Sequence, residues 1–275
     1  MSMAYLDRHV PLNDTEAAHK ATETLRAVTD PVLEARGLAR HYGQVAALQD
    51  IDLDLRPGEV TALLGDNGAG KSTLISLLSG VARPSAGEIR IGGAPVAITS
   101  PLAARDAGIA TVFQTLALVD DRDIAENLFL GREPLRFGFL LDRRRLYRDA
   151  EAVFAQLRVS LPPLTTPVRA LSGGQRQAIA VARTVLAGAR IVILDEPTAA
   201  LGVRETARVL DLVRRIRADG AAVLLVSHNM ENVFEIADRA VILRLGRKVA
   251  DRPIAELTRH DVVSLMTGAI GEVRR

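Results

Sequence analysis

The stretch GDNGAGKS, Gly65 to Ser72, constrains this chain more than any other. It matches G-x-x-x-x-G-K-S/T, with Gly65, Gly70, Lys71 and Ser72 in register, between an apolar run, VTALLG, and a helical pattern, STLISLLSGV. Strand, glycine loop and helix in that order are the context in which this spacing builds a phosphate cradle. Glycines let successive backbone N–H groups turn inward, and the helix N-terminus adds positive potential toward an anion. Lys71 is then placed to reach β- and γ-phosphates, and the Ser72 hydroxyl to ligate Mg²⁺.

The pattern around this loop alternates strand and helix. VLEARGLARHYG and LQDIDLDL alternate as strands do, GEIRIGG reads as strand and turn, and GIATVFQ as a strand ending on Gln114. IVILDE and AAVLLVSH read as buried strands, RETARVLDLVRRIRADG as a helix closed by Gly220, and AVILRLGRKVA as a hairpin. Such alternation implies an α/β fold with a mainly parallel core sheet. Residues 1–30 show no clear period and read as a flexible or marginally helical extension. That leaves 31–275 as one unit, with a helical insertion over about 115–187.

A second chemical element is IVILDEP, in which apolar residues run into Asp195 and Glu196. Acids at the carboxyl end of a buried strand stand where open α/β sheets bind ligands. Asp195 is suited to hold Mg²⁺, and Glu196 to polarise an attacking water as general base. Gln114, after TVF, can touch both the metal and that water, and His228, after AAVLLVS, can contact a γ-phosphate. A lone histidine at a strand end is more often structural, so His228 gains meaning only from the set.

Composition removes other classes. The 275 residues carry 35 basic and 33 acidic side chains, and that near-balance gives no reason to expect a nucleic-acid partner. Cysteine is absent, which excludes disulfides and thiolate metal sites. No run approaches the ~18 apolar residues that span a bilayer, and the first residues lack the apolar core of a secretory signal. Work at a membrane would require something other than a spanning segment to hold the chain there.

The glycine pair in LSGGQRQ, Leu171 to Gln177, is followed by no lysine, unlike that of the phosphate loop. With it the chain resembles the ATP-binding cassette ATPases over roughly residues 32–250, through five ordered motifs. The resemblance implies a P-loop NTPase core with a mainly parallel sheet, an antiparallel β subdomain and a helical insertion. Carried onto this sequence, it makes Tyr42 the aromatic stacked on adenine. Gly65, Asp66, Asn67, Gly68, Ala69, Gly70, Lys71, Ser72 and Thr73 become the ATP-binding loop. Gln114, Asp195, Glu196 and His228 take the roles given above, with Ser72, Gln114 and Asp195 around Mg²⁺. The family binds two ATP molecules between two cassettes placed head to tail. Ser172, Gly173, Gly174 and Gln175 would therefore close over the ATP of a second cassette, in a homodimer. The lysine and Mg²⁺ are already supplied by the partner.

One position departs from the family pattern. The loop after DEPT usually ends in Leu-Asp, with an Asp that couples the two sites, and here it reads AALG, ending on Gly202. The segments IAENLFLGRE, LDRRRLYRDA and VSHNMENVFEIADRAVILRLGRKVA are similar to the cassettes of bacterial monosaccharide importers of the ribose, galactose and fructose kind. That likeness implies membrane permease subunits, a periplasmic solute-binding protein and a peripheral place on the cytoplasmic face of the inner membrane. The alternatives are an importer of another solute and a soluble switch of the same family acting on ribosomes or DNA. Arg143 to Arg145 could face anionic lipid, but a basic triplet opening a helix reads first as a solvated face. LRFGFLL, Leu135 to Leu141, reads equally as core or as a seat for a membrane subunit.

Overall fold

In a computed structural model of the chain, residues 30–269 are described. All but the last residue of the expected N-terminal extension lies outside them. The central sheet consists of β3 (Val60–Leu64), β6 (Ile109–Val112), β9 (Ile191–Asp195), β10 (Ala222–Val226), β11 (Arg239–Arg244) and β12 (Arg247–Pro253). Its order is β12-β11-β3-β10-β9-β6, parallel throughout except at the β12 edge. Val60 to Leu64 and Ala222 to Val226 are buried at every position, as continuous apolar runs in a doubly covered sheet must be. A second, antiparallel sheet joins β1 (Leu33–Tyr42), β2 (Val45–Leu55), β4 (Ala86–Ile91) and β5 (Ala94–Pro95). The expected β subdomain is thus present.

Two apolar layers cover the central sheet. On one face Leu33, Leu53 and Ile89 pack with Leu74, Ile75 and Leu78 of α1 (Lys71–Leu78) against Leu63, Ile193 and Leu224. The other face carries Ile179 of α5 (Gly173–Leu186) and Val213 of α6 (Val203–Ala218), packed with Val192 and Val223. Between them in sequence come α2 (Pro101–Asp106), α3 (Ile124–Leu128) and α4 (Arg143–Gln156), and the chain continues through α7 (Met230–Ile236) and α8 (Arg259–Thr267). The stretch from Ile124 to Leu186 is helix-rich as expected, but it also contains a small hairpin, β7 (Leu135–Arg136) with β8 (Leu140–Leu141).

One buried knot holds the loop that follows β6. Asn127 is fully buried. Its Nδ2 donates to the carbonyls of Val119, Arg122 and Asp123 at 2.9, 3.1 and 3.0 Å, while its Oδ1 accepts from the Val119 N–H at 2.8 Å. Arg183 of α5 donates to the Asn127 and Ala117 carbonyls at 2.7 and 3.0 Å. A buried amide with all its bonds made fixes a loop better than apolar packing can, because losing any one bond leaves a polar group dry. The loop after Gln114 is therefore tied to α5, the helix that Gly173 opens.

Candidate functional site: a phosphate-loop cleft and a separate signature helix

Four parallel strands end on the same side of the sheet, and each delivers one candidate element there. Following β3 comes the glycine loop, following β6 Gln114, β9 ends on Asp195 with Glu196 next, and His228 stands two residues beyond β10. Together they line an open cleft of about 990 Å³. Tyr42, Gly65, Asp66, Asn67, Gly68, Gly70, Lys71, Ser72, Thr73, Gln114, Asp195, Glu196 and His228 all face it. Ala69 does not: its side chain is 3% exposed and belongs to the core under the loop. Sequence reading missed Val45, Ala46 and Ala47 of β2, Leu245 and Gly246 of the last hairpin, and Met266 of α8 in the lining. These are apolar or small residues from distant segments, and no local motif marks them.

The loop geometry demands its glycines. At Gly70, φ is 106°, and a Cβ there would meet Leu48 Cδ2 at 2.6 Å and the Ala47 carbonyl at 2.9 Å. Lys71 folds into the loop centre, its Nζ donating to the Gly65 and Asp66 carbonyls at 2.6 and 3.0 Å. The ammonium is thus satisfied by neutral carbonyls that a phosphate can replace with stronger, charge-assisted bonds. Tyr42, half exposed at the end of β1, has the Arg40 guanidinium 4.6 Å from its ring centroid.

The acidic pair divides by environment. Burial pushes the Asp195 carboxyl above its ordinary value, the neighbouring Glu196 charge adds to this, and Lys71 opposes it. Glu196 Oε2 lies 2.8 Å from His228 Nδ1, and its side chain is largely covered while His228 is open to the cleft. Glu196 also has φ 51°, a left-handed backbone that costs of order 1–3 kcal/mol for a residue with a side chain. Its N–H donates to the Val226 carbonyl at 2.9 Å, so the strand beside it holds the strained turn.

Ser172, Gly174 and Gln175 line a different cavity of about 460 Å³, away from the phosphate loop of their own chain. Ser172 caps α5: its Oγ accepts from the Gln175 N–H at 3.4 Å, and Gln175 Oε1 accepts from the Ser172 N–H at 3.0 Å. Gly173 is the first residue of that helix. The surprise is Glu205 on α6. The Ser172 hydroxyl, and then the Gly202 N–H, hold its carboxyl below the usual carboxylate range. The Gly202 bond measures 3.2 Å. A Cβ on Gly174 would come within 2.9 Å of Glu205 Cβ, so glycine here makes room for that side chain. Glu205 thus stands between the loop ending on Gly202 and the signature helix at Gly174. The spacing of Gly202 to Glu205, a helix cap followed three residues later by Glu, was the available signal.

A family model described as ABC transporter matches residues 48–199. The chain belongs to the ABC transporter family. The fructose import ATP-binding protein FrcA of Rhizobium meliloti is 48% identical over 87% of this chain and 95% of its own length. The ribose import ATP-binding protein RbsA 1 of Streptomyces coelicolor is 45% identical over 86% of this chain, which spans only 47% of that protein. A nucleotide-free ATP-binding cassette from an ABC transporter superposes with a TM-score of 0.75 at 22% identity, over 88% of this chain and all of that one, and bears on fold alone. As an ABC ATPase the chain binds and hydrolyses ATP, and the expected cassette fold is the one observed. Among the described residues no helix is long and apolar enough to cross a membrane.

Proposed function

We propose that this ATPase is the energising subunit of a monosaccharide importer, seated on the cytoplasmic face of the inner membrane against separate permease subunits. Through them it would serve a periplasmic solute-binding protein. The observation that carries the reading is the separation of the two half-sites. The phosphate loop, acidic pair, Gln114 and His228 share one cleft, whereas Ser172 and its helix N-terminus point elsewhere. A second copy in head-to-tail array supplies what each cleft lacks. The names of the relatives, fructose import and ribose import proteins, support the sugar.

In this reading Lys71 and the loop N–H groups hold the ATP phosphates, and Tyr42 stacks on adenine through the ring face that Arg40 leaves free. The oxygens of Ser72, Gln114 and Asp195 form a hard donor set that fits Mg²⁺. Among the described residues no cluster of three or more acids or histidines competes as a metal site. When bound, the ion neutralises charge on the transferring phosphoryl group. Glu196, oriented by His228 and by its strained backbone, takes the proton of the attacking water. His228 and the Gln114 side chain hold that water and the γ-phosphate in line. Ser172, Gly173, Gly174 and Gln175 of one copy cover the γ-phosphate of the other.

Strains lacking this chain should lose uptake of one labelled monosaccharide from a panel of ribose, galactose and fructose. The wild-type chain should restore it and Lys71→Ala should not. Normal uptake of all three, with loss of some other solute, would transfer the assignment to that solute.

Gly202 offers a finer test of coupling between the paired sites. Its φ of −71° suits any residue, and a Cβ would touch only Glu205 Oε2 at 3.6 Å, so Gly202→Asp should fold normally. Restoring the acid should raise the Hill coefficient for ATP hydrolysis from near ~1 toward the two-site limit of about 2. An unchanged coefficient in steady-state assays would place coupling outside this loop.

A further inference from the structure

The hairpin Leu135–Leu141 gathers five exposed large apolar side chains, with Phe137 and Phe139 each 76% exposed at its tip and Leu140 half exposed beside them. It is not core, one of the two readings its sequence allowed. Phe137 has φ 57°, a conformation that favours Gly or Asn and is a true outlier for a bulky residue. Exposure and strain together are hard to reconcile with a mere connector, for which a polar turn residue would be better on both counts.

The segment around the tip is predominantly basic. Residues 131–148 contain six arginines against two acidic residues, while the whole chain nets only +2, so the remainder is net negative. Arg143, Arg144 and Arg145 occupy the first turn of α4, which has no acid there, and cations at a helix N-terminus oppose its dipole. Arg143 reaches Glu126 at 2.9 Å, and Arg145 and Arg148 reach Asp149 at 3.3 and 3.0 Å. Among the described residues Arg132, Arg136 and Arg144 make no ion pair, and Arg136 lies 4.9 Å from the Phe137 ring centroid.

We infer that this hairpin inserts its two phenylalanines into an anionic lipid surface, with the arginine collar on the headgroups. A convex knob fits a deformable interface, whereas a partner helix requires a groove. Strands of two residues and a three-residue turn reach about 10 Å at ~3.3 Å per residue, the depth of a headgroup layer. The collar supplies attraction to anionic lipid and the rings supply apolar burial, the two signals that a stable surface anchor combines. The inference rests on the membrane placement proposed above, and the sugar-uptake experiment tests that reading separately.

Full-length purified chain should co-sediment with vesicles of phosphatidylcholine containing phosphatidylglycerol, at least about tenfold more than with phosphatidylcholine alone, and lose this in ~0.5 M salt. Phe137→Asn with Phe139→Ser should cut sedimentation roughly tenfold while ATPase activity stays within about twofold. Asn relieves the positive φ, so this variant is expected to fold at least as well as the wild type. Arg136→Gln with Arg144→Gln should abolish the preference for anionic lipid. Equal sedimentation of the wild type and the phenylalanine variant would overturn the inference. So would a wild type that ignores anionic vesicles and is held only by detergent-solubilised permease, which would make the knob a protein contact.

Discussion

Replacing Glu196 by Gln lowers ATP turnover by about 10²–10⁴-fold, the range for losing a general base, while ATP binding is kept. The amide has the same shape, so the turn at φ 51° and the bond from the Glu196 N–H to Val226 persist. Asp195, Lys71 and Ser72 are untouched, and only the proposed proton acceptor is lost. Without hydrolysis, ATP should accumulate the paired form, visible as a dimer in size-exclusion chromatography run with ATP and as a monomer without it. Phosphate release near the wild-type rate would remove Glu196 from the catalytic role and leave its approach to His228 structural.

Two inactive variants mixed together should recover activity. Lys71→Ala removes the cation that the loop carbonyls of Gly65 and Asp66 hold in the cleft, and hydrolysis should fall below about 1%. Ser172→Arg leaves the cleft intact but fills the signature. Ser172 is exposed, so the arginine projects outward and the folded chain loses only its cap, about 1 kcal/mol. Random pairing of equal amounts makes about half the dimers mixed. In each mixed dimer one site joins the intact loop of the Ser172→Arg chain to the intact signature of the Lys71→Ala chain. If one good site turns over alone, the mixture should regain up to about a quarter of wild-type activity. Activity that stays absent while mixed dimers form would mean that both sites fire together, or that Ser172 serves its own chain. ATP binding by the Ser172→Arg chain alone separates these, since a signature serving its own loop would lose affinity there.

What the sequence by itself determined is which residues meet in the cleft. Gly65 to Ser72, Gln114, Asp195, Glu196 and His228 were each legible because each follows a buried apolar run. In a parallel sheet with right-handed crossovers, all such ends face one side. Local spacing therefore sufficed to predict a shared cleft, though not the order β12-β11-β3-β10-β9-β6 in which the strands pair. The tertiary structure alone decided the rest. No spacing rule shows that Ala69 turns into the core, that Asn127 and Arg183 lock the loop after Gln114, or that Glu205 packs against Gly174. Each depends on which distant segments pack together, and therefore on long-range burial rather than on periodicity. LRFGFLL marks the limit most sharply. An apolar run states only that water is unfavourable for it, and whether the fold covers the run or leaves it outside depends on the elements that surround it.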